Sequence, residues 1–169
     1  MTDTYLGLPI YKDKTTTPMI LNKQTEIMQC PCCGNQTRFY DRSLVGTTAR
    51  ALTRLYCLHK AAPGHVWWEN YKINLKNNVG GAFAKLRLWG LVRYPPEEGI
   101  RAGKWAITEN GIAWVEGRCG MPRYVREQGT KPQYFIGPII THREAHAYSF
   151  DLTQECVNTL TEVEQWETT

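Results

Sequence analysis

The sequence predicts an α+β protein, and three observations carry that reading. In SLVGTTARALTRLYCLHK, the apolar residues Leu44, Val45, Ala51, Leu52, Leu55, Tyr56 and Leu58 recur at helical spacing. In MPRYVREQGTKPQYFIGPIITH, β-branched and aromatic runs are split by GTKP, which predicts a hairpin or two extended strands. In DLTQECVNTLTEVEQW, Leu152, Cys156, Leu160 and Val163 form one apolar stripe, which predicts a C-terminal amphipathic helix.

A length of 169 residues suits one domain, or one domain with a small appendage. Hydrophobic residues make up 42% and charged residues 21%, enough apolar material for a packed core. The longest apolar run is too short to span a bilayer, so no membrane partner is expected. The first 21 residues are polar and Thr-rich with no apolar stretch of signal-peptide type. A cytoplasmic protein is expected, in the host cytoplasm if the source is viral.

Taken in order, residues 1–27 contain Pro9, Pro18 and KTTTP with little periodicity, and read as a partly ordered arm. CPCCGNQ is a compact turn, and TRFYDR is short and aromatic enough for a strand. The helix that follows has Ser43 as its cap and is broken by AAPG. HVWWENYKINLKNN reads as a second, weaker helix with Trp67, Tyr71 and Leu75 on one face. AFAKLRLWG reads as a third, with Phe83 and Leu86 inward, Lys85 and Arg87 outward, and Gly90 as a left-handed stop. LVRY and KWAIT are short strands around PPEEGIRAG, and Thr108 caps a further helix over TENGIAWVEG. At the C-terminus, Asp151 and Gln154 have capping-box spacing.

Three helices followed by a two-stranded hairpin is the order of a winged helix-turn-helix, with the third helix as recognition element and the inter-strand loop as wing. A helix about 10 Å across fits the major groove, while a hairpin tip beside it reaches phosphate. The expected DNA-binding residues are Lys76, Asn77 and Asn78 at the turn, Lys85 and Arg87 on the helix, and Arg93, Arg101 and Lys104 on the wing. Glu97 and Glu98 on the same tip oppose that role, and a plainly solvated basic face is the competing account of these cations.

AKLRLWGLV followed by GKWAITENG resembles the helix-then-wing signature of winged-helix proteins. With CPCCG upstream and MPRYV downstream, residues 28–152 are similar to small proteins of tailed bacteriophages and bacteria. The resemblance implies a fold of three parts: an arm over 1–27, a zinc knuckle and winged-helix domain over 28–117, and a β-rich extension with an acidic helix over 118–169. For function it implies little, since wings also serve protein contacts.

Six cysteines in a chain expected in a reducing compartment argue against a disulfide framework, and for metal binding or buried thiols. Cys30 and Cys33 have the spacing that lets two thiolates reach one tetrahedral ion. A strand of about six residues travels about 20 Å and a helix of about fifteen returns about 22 Å, which brings Cys57 and His59 back toward the knuckle. A structural zinc held by Cys30, Cys33, Cys57 and either His59 or His65 is therefore expected, reduced thiols in a turn being the alternative. His142 and His146, four apart, are expected at the surface or an interface, with a second metal site alongside Cys119 as the other option.

Charge is uneven. Residues 30–150 carry 17 Lys/Arg against 8 Asp/Glu, whereas residues 151–169 carry five acids and no Lys or Arg. A basic body with an acidic tail suggests a polyanionic partner, with the tail folding back upon the body. No nucleophile elbow, phosphate loop or dinucleotide glycine pattern occurs, and the acids of the body are scattered, so no enzyme is expected. Two partners remain from this reading. One is double-stranded DNA, for a regulatory or accessory factor. The other is a host protein complex: most of Trp67, Trp68, Trp89, Trp105 and Trp114 are expected in the core, and any left exposed is a candidate anchor. The stripe of the last helix is where a homodimer seam is expected.

Overall fold

The hairpin expected around GTKP forms the middle of a six-stranded sheet. Strand β8 (Met121–Gln128) pairs antiparallel with β9 (Lys131–Ile140), setting Val125 opposite Phe135 and Met121 opposite Ile140. All four side chains are buried and pack as apolar cross-strand pairs. Strand β4 (Gln36–Ser43) adds antiparallel to β8, and β3 (Ile27–Gln29) adds to β4. On the other side β2 (Leu8–Tyr11) runs parallel to β9 and β1 (Thr4–Tyr5) completes the order β1-β2-β9-β8-β4-β3. The Tyr5 ring meets Phe135 edge-on with centroids 5.0 Å apart.

The structure is a computed structural model that describes residues 3–11, 27–29, 33–34, 36–73, 79–99, 103–129, 131–146 and 150–167. It divides into two compact units, 1–44 with 121–140 and 45–120 with 141–169. These units cut across the linear division at residues 27 and 117. The β4–β8 ladder joins the segment after the cysteine turn to the downstream hairpin, and part of the expected arm is strand.

Charges lie inside the sheet unit and are paired there, as burial demands. Glu127 is wholly buried and accepts from Arg42 Nε at 2.6 Å. Arg126, directly opposite Asp41, donates to both carboxylate oxygens at 2.8 and 3.1 Å and lies over the Tyr134 ring.

The helical unit is built on α1 (Gly46–Ala61). It begins after Val45 rather than at Ser43, because Ser43 is the last residue of β4 and pairs with Tyr124. Helix α1 packs against every other helix of its unit: α2 (Val79–Ala84), α3 (Glu109–Val115), α4 (His142–Ala145) and α5 (Leu152–Glu167). That central position accounts for the near-complete burial of residues 51–53 and 55–58.

The second helix expected from HVWWENYKINLKNN does not appear among the described residues. Trp68–Glu69 is strand β5 instead, followed by a turn to Ile73. The reason is cross-strand: Trp68 pairs with Trp105 and Glu69 with Lys104, and an aromatic segment gains more on a pleated surface than on a helix. The third helix is α2, which tightens into a 3₁₀ turn over Lys85–Trp89 and stops at Gly90 with φ 67°, the left-handed stop expected there. Strands β6 (Val92–Arg93) and β7 (Lys104–Ile107) follow, and Thr108 caps α3 by accepting from Gly111 N at 3.1 Å.

The acidic helix α5 is capped by Asp151, whose Oδ1 accepts from Thr153 N and Gln154 N at 2.9 and 3.2 Å. Its stripe packs on α1 of the same chain. Cys156 is joined to Cys57 by a disulfide with Cα atoms 5.0 Å apart, and Arg54 donates to Glu162 at 2.8 Å. For Cys57 and Cys156 this corrects the expectation of reduced or metal-bound cysteines, whereas Cys33 and Cys119 are free thiols. Two helices whose facing positions both carry cysteine bring the sulfurs within bonding reach, which no local pattern announces.

Candidate nucleic-acid interface

Strands β5, β7 and β6 form a three-stranded antiparallel sheet in that order. Side chains alternate across it. Trp68, Trp105, Val92 and Ile107 point inward and are buried, with Phe83 edge-on to Trp105 at 5.5 Å. The opposite face then carries Arg93 beside Ala106 and Glu69 beside Lys104, and Trp67, the residue just before β5, sets its ring against the Arg93 guanidinium. The strand pairing required of the wing is present: Val92 pairs with Ile107 and Arg93 with Ala106.

The expected contact residues are placed unevenly. Arg93 is exposed, and its guanidinium lies 5.1 Å from the centre of the Trp67 ring. Lys104 is turned onto its own loop, where Nζ donates to both Glu98 oxygens at 2.9 and 3.1 Å. That hydrogen-bonded carboxylate, together with its charge, holds the lysine above its ordinary value. Lys85 and Arg87 are half-buried on the 3₁₀ turn. Lys76, Asn77, Asn78 and Arg101 lie outside the described residues.

The tryptophans considered as protein anchors are mostly core. Trp68, Trp89, Trp105 and Trp114 are buried, while Trp67 is half-exposed on the outer sheet face. Its pairing with Arg93 was missed from sequence because a helix over 65–78 puts Trp67 on a different surface. The signal was the adjacent pair Trp67-Trp68, which an extended backbone sends to opposite faces.

Of the expected zinc ligands, the one the structure commits elsewhere is Cys57. Cys57 is bonded to Cys156, Cys33 is an exposed free thiol, His59 is half-buried on α1, and Cys30 lies outside the described residues. His65, the other fourth ligand considered, instead sits against the Trp68 ring at 4.2 Å. Among the described residues no group of three or more His, Cys, Asp or Glu could hold a metal ion.

His142 and His146 are not at the surface. They are 1% and 6% exposed, which corrects the expectation from THREAH. Thr141 and Glu144 form a capping box that starts the short helix α4 and turns His142 inward against Trp114 and Phe150. Burial, then the neighbouring His146, pushes His142 down to about 4; burial, then Arg50, pushes His146 to about 4 as well. Both rings are neutral near pH 7 and act as packing groups. Nearby, Glu116 at the end of α3 gathers Arg118, Tyr56 and Lys60, and the Arg118 hydrogen bond leads in lowering it to about 2.

Comparison with protein-family models, curated proteins and solved structures found no match to this chain. The α+β class is established by the structure itself, and no helix among the described residues is long and apolar enough to cross a membrane.

Proposed function

We propose that the helical unit is a winged-helix domain that binds double-stranded DNA, in a regulatory or accessory rather than a catalytic role. The observation that carries the reading is the sheet: a short strand after the first helix, β5, pairs with β7, the second strand of the hairpin that directly follows helix α2 and its 3₁₀ extension. That wiring places a helix end and a hairpin side by side, the two elements that meet a groove and its flanking phosphates. The basic balance of residues 30–150 supports a polyanionic partner.

The test is binding to a labelled duplex at several salt concentrations. Engagement of about six phosphates gives a slope of log affinity against log salt near −5. Affinity that hardly changes between about 50 and 200 mM salt would sink the reading.

A further inference from the structure

Among the described residues Arg93 has no carboxylate within ion-pair distance, and its contact is with the face of the Trp67 ring. It contrasts with Lys104 on the same sheet face, which is committed to Glu98. Ala106, paired with Arg93 and 4% exposed, is small enough to let the arginine of β6 reach the indole of the residue just before β5 across the central strand. A guanidinium has all its N–H donors in its plane. Stacking on an indole occupies the face and leaves that fork free, while restricting the side chain to fewer rotamers.

We propose that Trp67 is the positioning residue for Arg93. It holds the guanidinium with its donor edge presented to a phosphodiester oxygen pair of bound nucleic acid. The outer face of the sheet, rather than the hairpin tip, makes the wing's backbone contact. Such a contact reads phosphate and carries no base preference. This rests on the DNA-binding reading above.

Double-mutant analysis on the duplex tests it. Arg93→Ala reduces the salt slope by about one unit. Trp67→Ala weakens binding about two- to fivefold in the wild-type background and has no effect in the Arg93→Ala background, since its only route is through Arg93. Trp67→Phe keeps a ring and most of the affinity. Arg93→Lys retains the slope but loses affinity about two- to fivefold, because an ammonium has no planar fork. Equal losses from Trp67→Ala in both backgrounds would overturn the positioning role, as would wild-type affinity in Arg93→Lys, a surface change that leaves the core untouched. Both leave DNA binding intact. Wild-type protein whose binding is absent or indifferent to salt overturns the parent reading instead, so the two failures are distinguishable.

Discussion

Thr53 Oγ1 lies 3.1 Å from His142 Nε2 inside the helical unit, and the pair defines a tautomer. The Thr53 hydroxyl donates its single proton to Ala49 O at 3.0 Å, so toward the histidine it accepts, and Nε2 of His142 carries hydrogen. Ala49 O, 3.3 Å from the same nitrogen, is a second acceptor facing that hydrogen, and Nε2 of His146 lies 3.4 Å away. A second proton on either ring would have to enter an apolar, already cationic neighbourhood beside Arg50.

The helical unit therefore loses stability on mild acidification. Unfolded histidine takes up its proton near 6.5, whereas His142 and His146 resist to about 4. Across that window the unfolded chain binds more protons, so stability rises with pH, is fully present above the upper value and falls away toward the lower one. Urea midpoints measured at about pH 7 and about pH 5 should differ, and the double variant His142→Gln/His146→Gln should flatten the difference. Glu116 acts in a lower window, its contribution lost as pH falls from 4.5 to about 2. An unchanged wild-type midpoint across the histidine window would rule out the buried neutral pair.

Removing the disulfide should cost about 2–5 kcal/mol, because Cys57 and Cys156 close a long loop of the unfolded chain. Cys57→Ala with Cys156→Ala, and wild type under reductant, should shift denaturation to the same extent. Intact-mass analysis of unreduced protein gives a direct reading of the bond. Stability indifferent to reductant would show that the bridge contributes nothing.

Gly111→Ala should destabilise by about 1–3 kcal/mol, although alanine is the better helix former. A Cβ at this position in α3 would stand 2.3 Å from Leu91 O and 2.7 Å from Ile107 Cγ1, so the helix must lift from the start of β6 and the end of β7. Gly117→Ala meets no neighbour within 4 Å but is strained by φ +73°. A Gly111→Ala protein as stable as wild type in thermal unfolding would contradict this close approach.

In the sheet unit, Arg42→Ala should cost about 2–3 kcal/mol by leaving Glu127 buried without its guanidinium. Arg42→Met combined with Glu127→Leu should recover much of that loss, since removing both charges leaves no orphan. Denaturant titration of the three proteins separates a desolvated pair from a surface pair, for which all three would coincide.

Elements held by neighbours in sequence were legible in the chain alone. The spacing of α1 and α5, the caps Thr108 and Asp151, the stop at Gly90 and the hairpin around GTKP all depend on contacts a few residues apart. So did the direction of the acidic tail, whose charge asks for a basic face and meets Arg54. The tertiary structure decided the rest. Trp68–Glu69 became a strand because Trp105 offers an aromatic partner far along the chain, and Cys57 became a half-cystine because α5 lays Cys156 upon it. His142 and His146 went inside because Trp114, Phe150 and Thr53 wall them in. Propensity acts over one turn or one pleat, at tenths of a kcal/mol per residue, while burial against a distant partner is worth about 1.5–3 kcal/mol per large side chain and overrules it.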